Sequence, residues 1–157
     1  MFLYIVILIL GFSLVLIPNV KEARVFGWWL VLFLIFFSSV RYDVGVDFEN
    51  YQRIFLDFSI NNITPRFEPI SLMIFKITKF FDFNYNFILF IFAFFTLGGV
   101  SYFLSTVQRQ YGLSIYIFLT VPIFYFQTFN HLRQWLAIGI LYMGFSLLYE
   151  RKKIRGI

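Results

Sequence analysis

Apolar residues in this chain fall in long runs separated by short polar turns, the pattern of helices rather than of alternating strands. Phe2 to Ile17 is apolar throughout except for Gly11 and Ser13, and it closes at Pro18-Asn19. Further runs cover 25–40, 87–106, 113–129 and 135–149. Each approaches the ~20 residues that a helix needs to cross a bilayer core. No basic residue precedes the first run and no small-residue cleavage site follows it, so it reads as an anchor and not as a removable signal peptide. Trp28 and Trp29 begin the second run, where indoles favour the headgroup level. Gly98, Gly99 and Ser101 give the third run small residues for close helix packing.

Between 41 and 85 the character changes. Six of the eight acidic residues lie here: Asp43, Asp47, Glu49, Asp57, Glu68 and Asp82. Phe48, Tyr51, Phe55 and Phe58 recur at three- and four-residue spacing, with Glu49, Asn50, Gln52, Arg53 and Asp57 opposite. That spacing predicts an amphipathic helix, with Asp47 at its N-cap. A loop through Asn61-Asn62-Ile63-Thr64-Pro65 follows. Glu68-Pro69 then opens a second helix over 70–81, since proline suits a first helical turn and an acid favours the positive end of the dipole. Its dozen residues and its two lysines, Lys76 and Lys79, make it interfacial or re-entrant.

The expected architecture is therefore an all-α integral membrane protein, a single membrane domain over 1–157. It has about five transmembrane helices and one or two interfacial amphipathic helices on the outer face. Placing Lys21, Arg24, Arg109 and the 151–155 basic cluster in the cytoplasm puts the N-terminus outside. The 41–85 region and the turn at Asn130–Gln134 then share the outer face.

Composition narrows the chemistry. The chain is 61% hydrophobic and 13% charged, against the roughly one quarter charged of soluble domains. Part of the aromatic load, 25 Phe among it, is what an AT-rich genome writes by drift. Without cysteine there is no disulfide or thiolate chemistry, and a single histidine offers no metal-ligand cluster, so no metal or cofactor is expected. The net charge of +5 is scattered between apolar spans, which suits bilayer orientation and not nucleic acid.

Three constellations can carry chemistry. Between Arg41 and Arg53 five ionisable residues crowd beside an apolar span, with Gly45 allowing a sharp turn before Asp47. A guanidinium there can grip a phosphate or carboxylate bidentately. The plainer reading makes Arg41 a headgroup anchor neutralised by Asp43. Glu68-Pro69 is the second, and simple helix initiation is the favoured account of it. The third is Asn130-His131-Leu132-Arg133-Gln134, between two apolar runs and without an acidic neighbour. Its charge requires compensation from elsewhere in the fold. His131 reads as a polar tip.

In order, Arg-Tyr-Asp-Val-Gly-Val-Asp with Tyr51 beyond it, Glu68-Pro69 opening a helix, and Phe129-Asn130-x2-Arg133-Gln134-x2-Ala137 after two spans resemble the EpsG family. These are Wzy-like polysaccharide polymerases of the bacterial cytoplasmic (inner) membrane. The resemblance implies an enzyme of exopolysaccharide, capsule or O-antigen assembly that joins undecaprenyl-diphosphate-linked oligosaccharide units at the outer face. Its partners would be that substrate, membrane lipids and other polysaccharide-assembly proteins. The matched positions are Arg41, Gly45, Asp47, Tyr51, Glu68, Asn130, Arg133 and Gln134. Cationic Arg41 and Arg133 suit a departing diphosphate, and Asp47 or Glu68 an acceptor proton. Gly45, Tyr51, Asn130 and Gln134 would complete substrate binding. Family members are typically more than twice this length, so the resemblance implies an N-terminal half. A non-enzymatic membrane subunit of the same machinery is the second expectation. A channel ranks last, because polar residues cluster at the ends of spans and not along them.

Overall fold

The computed structural model describes residues 2–45, 48–57 and 68–154, which are helical apart from short connections. In chain order the helices are α1 (Phe2–Val15), α2 (Val20–Val40), α3 (Phe48–Asp57), α4 (Pro69–Phe80), α5 (Tyr85–Val107), α6 (Tyr111–Thr120), α7 (Pro122–Tyr125), α8 (Gln127–Asn130) and α9 (Leu132–Ile154).

Local chemistry sets most of the boundaries. Asn19 caps α2, accepting from the Lys21 amide at 3.0 Å and donating to Glu22 Oε1 at 2.9 Å. The basic segment Lys21–Arg24, which precedes the apolar run at 25–40, is therefore the first turn of that helix. The break inside 113–129 was not expected. Pro122 cannot donate a backbone N–H and disfavours a helical Val121, so the run splits into α6 and a second helical piece bent by 75°. Residues 135–149 lie within α9, which starts at Leu132 and continues past Glu150 through Arg151 and Lys152.

Among the described residues two helices, α2 and α5, are long and apolar enough to cross a membrane, or three spans if the bent pair counts as one. Length and composition alone support two or three of the expected five spans and leave the others unconfirmed. α1 is apolar but has only 14 residues, ending before Pro18. α9 has the length, but Arg133 and the charged end dilute its apolar character. α4, at 12 residues, is as short as its sequence implied.

α5 lies at the centre, packed along α9 and α2, while α1 packs against α6. At the α5–α9 crossing Gly99 and Gly139 bring the two backbones together, and a Cβ on either would overlap the other helix. One apolar cluster joins α1, α2 and α6 through residues such as Leu34, Tyr111 and Leu119. A second joins α3, α4, α5 and α9 through Phe55, Phe75, Phe92 and Leu136. Outward, Trp29, Phe36, Phe145 and Leu148 stand exposed. Side chains of this size on the outside of apolar helices suit lipid, where in water they would drive association.

Candidate functional site at the loop following the second helix

α3 forms as its spacing dictates. Phe48, Tyr51 and Phe55 are buried on one face and Glu49, Arg53 and Asp57 are exposed. The Phe48 ring meets Tyr85 edge-on at 5.4 Å, and Phe55 meets Phe75 at 6.2 Å. This packing sets α3 against the start of α5 and against α4. Asp47, the expected N-cap and base, lies outside the described residues, as does the loop at 61–65.

Arg41, the first residue after α2, does not reach outward as a headgroup anchor would. It is 7% exposed, and its guanidinium sits 4.5 Å from the centroid of the Phe129 ring. Among the described residues no carboxylate forms a salt bridge with it, and its Nε is buried without a hydrogen-bond partner. Burial pushes the guanidinium down to about 10, partly offset by the nearby Tyr85 and Tyr125 hydroxyls, so it stays a cation at neutral pH.

Two residues later the backbone turns sharply. Asp43 has φ 51° and Gly45 φ 102°, both in left-handed territory. Gly45 presses against the far turn: a Cβ there would lie 2.6 Å from the Phe129 carbonyl oxygen and 3.4 Å from Asn130 Oδ1. Glycine is required at this position for two independent reasons, conformation and space.

Arg133 stands in the first turn of α9. Its Nε donates to the Tyr51 hydroxyl at 2.7 Å and its Nη1 to Glu68 Oε2 at 2.9 Å. The guanidinium also lies 5.7 Å from the Tyr51 ring centroid. Glu68 begins α4 through its backbone, its carbonyl accepting from Leu72 N–H at 3.0 Å, but its side chain makes no cap. The carboxylate goes to Arg133 instead, so helix initiation alone does not account for it.

Two segments are thereby stitched side by side. Arg41, Gly45 and Tyr51 along one meet Phe129, Asn130 and Arg133 in the same order along the other. Of the residues expected at the site, Arg41, Gly45, Tyr51, Glu68, Asn130 and Arg133 come together here. Gln134 is exposed, one position further along α9, and His131 is an exposed cap between α8 and α9.

Sequence reasoning missed the polar lining beneath Arg41. A cavity of about 10 Å³, the size of one water, is bounded by Ser38, Arg41, Thr96, Thr128 and Phe129. The Ser38 and Tyr125 hydroxyls and Gln127 Oε1 are buried as well. The available signal was the pair Ser38-Ser39 closing an apolar run, together with Pro122 ahead of Gln127-Thr128. Among the described residues no three His, Asp or Glu side chains gather as metal ligands would.

A helical membrane protein with a polar site at one end of its bundle is the class that fold and geometry define. The chain belongs to the EpsG family, whose model matches residues 24–157. No curated protein and no solved structure matches it. Membership points in general terms to polysaccharide assembly and to a lipid-linked sugar substrate in the membrane.

Proposed function

We propose that this chain acts as a Wzy-like polysaccharide polymerase on polyprenyl-diphosphate-linked oligosaccharides at the outer face of a bacterial cytoplasmic membrane. The observation that carries the reading is the placement of two guanidinium groups along the same pair of adjoining segments: Arg41, buried over Phe129 without a carboxylate in a described salt bridge, and Arg133, held by Tyr51 and Glu68. A buried cation of this kind is stabilised by an anion brought from outside. A diphosphate supplies the planar, multidentate oxygens that arginine matches best.

In the proposed reaction an acceptor hydroxyl oxygen attacks the anomeric carbon of the lipid-linked sugar. The bond from that carbon to the diphosphate oxygen breaks, and the lipid diphosphate leaves with the electron pair. Arg41 and Arg133 stabilise the charge that develops on the leaving group. The acceptor proton passes to a carboxylate, Glu68 or Asp47. Because Glu68 already holds Arg133, a diphosphate that takes over the guanidinium releases the carboxylate for this role. Tyr51 and Asn130 position the groups, Gly45 permits the close junction, and Gln134 faces the substrate from the rim.

In this reading α1, α2, α5, the bent α6–α8 segment and α9 each traverse the bilayer within a single membrane domain. Lys21, Arg24, Arg109 and Arg151 lie on the cytoplasmic side. Capsule, exopolysaccharide and O-antigen are the polymers such an enzyme would build, with other assembly proteins as partners. The test is complementation of a strain lacking its own polymerase, with polymer length read on a gel. The wild-type chain should restore long polymer, and Arg133→Ala should leave single repeat units. Unchanged length in the Arg133→Ala strain would remove the diphosphate role and favour a purely structural clamp, as in a non-enzymatic subunit.

A further inference from the structure

Tyr42 and the exposed face of α3 enclose a polar cavity of about 200 Å³ that the reaction above does not use. Its walls are Tyr42, Asp43, Glu49, Gln52 and Arg53, with Leu56 at one end. Glu49, Gln52, Arg53 and Leu56 stand at i, i+3, i+4 and i+7, one continuous helix face. Phe48 forms the floor, and the Tyr42 ring meets it edge-on with centroids 5.8 Å apart.

Three features define what fits. Tyr42 is 79% exposed although its neighbour Arg41 is buried, so the loop turns one side chain inward and presents the other as an open aromatic surface. Asp43 is held in the left-handed region at φ 51°, a conformation that needs support from its surroundings. The charges nearly cancel: Arg53 Nη2 pairs with Glu49 Oε2 at 2.9 Å, leaving Asp43 as the net charge of the wall. One net negative charge disfavours phosphate and lipid headgroup anions. A carboxylate, an amide and a guanidinium are planar groups that engage adjacent hydroxyls in pairs. An open phenol ring covers the apolar C–H face of a pyranose while its own hydroxyl stays wet. The volume is below that of drug-sized pockets and suits a single ring.

From these features we infer that the Tyr42 cavity is a sugar-binding subsite that holds one neutral pyranose unit. The inference rests on the reading of the chain as a handler of lipid-linked sugars, and adds where one ring of that substrate would sit. The subsite shares α3 with Tyr51, so the helix that fixes Arg133 also forms a wall for the sugar. A tyrosine that only anchored the loop among headgroups would show no preference for saccharides.

The experiment is saturation-transfer difference NMR on the full chain in lipid nanodiscs, with glucose, galactose and N-acetylglucosamine as probes and thermal unfolding as a fold control. At least one sugar should show transfer to its ring protons. Tyr42→Ala and Gln52→Ala should reduce it at least fivefold, while Tyr42→Phe retains it. An unchanged melting temperature in Tyr42→Ala shows the fold is intact. No transfer to any of the three sugars, or transfer indifferent to Tyr42→Ala in a folded variant, overturns the subsite. Absence of sugar binding together with polymer lost in Arg133→Ala would sink the subsite and leave the polymerase reading standing. Tyr42-dependent sugar binding with full-length polymer in Arg133→Ala would do the reverse.

Discussion

The Glu68 carboxylate makes no bond to the helix it begins and instead accepts from Arg133 Nη1 at 2.9 Å, across 65 positions of chain. That bond ties the start of α4 to the start of α9. With the Tyr51 hydroxyl on Nε, it fixes the guanidinium on two sides.

The two ties differ in worth. Tyr51 is 5% exposed, whereas the Glu68 side chain is 58% exposed. Tyr51→Phe should lower stability by about 1.5 kcal/mol, the loss of a sheltered hydrogen bond to a charge. Glu68→Gln should cost less than about 1 kcal/mol, because water screens the pair. Thermal unfolding in detergent measures both. The reverse order would mean that the ion pair is the principal fastener.

Gly45→Ala should be among the most damaging single-methyl changes in the chain. The new Cβ would collide with the Phe129 carbonyl, and φ 102° is strained for any L residue. Together these should cost at least ~2 kcal/mol. A drop in thermal stability with loss of polymer is expected. Unaltered stability would mean that the loop can swing away from Phe129 without consequence.

Arg41 separates structural from functional demand. Among the described residues no salt bridge holds Arg41, so replacing this buried cation by an apolar side chain of similar length relieves desolvation, and Arg41→Met should fold with equal or higher thermal stability. It should nevertheless abolish polymer formation in the complementation assay. Stability lost in parallel with activity would mark Arg41 as a structural residue whose cation–π contact with Phe129 the fold requires.

At the centre of the bundle, Gly99→Ala or Gly139→Ala should separate α5 from α9, since each added Cβ overlaps the opposing backbone. Overpacking of this kind costs ~1–3 kcal/mol. Gly98, where a Cβ meets open space, should tolerate alanine and serves as the control. Equal melting temperatures for Gly98→Ala and Gly99→Ala would contradict the close crossing.

How far the sequence discloses this arrangement depends on the range of the forces involved. The buried face of α3 is readable from the spacing of Phe48, Tyr51 and Phe55, a local periodicity. Arg133 announces that it needs a partner, because a cation between apolar runs with no acid beside it must find one through the fold. Which partner it finds is a matter of tertiary contact, and Glu68 and Tyr51 are 65 and 82 positions away. Arg41 misleads for the same reason. An arginine at the end of a span ordinarily reaches for headgroups, and only the packing of Phe129 beneath it draws it inward. In the 113–129 run apolar content masks Pro122, although the missing amide is enough to end α6. Hydropathy likewise marks apolar stretches without locating helix ends or breaks, so it does not by itself fix the number of spans.

The central claim is that Arg41 and Arg133 together receive a lipid diphosphate. Binding of undecaprenyl diphosphate to the full chain in nanodiscs tests it most directly. Arg41→Met and Arg133→Ala should each weaken that affinity at least tenfold, about 1.4 kcal/mol apiece, with Gly98→Ala unchanged. Equal affinity in the wild type and both arginine variants would contradict the account.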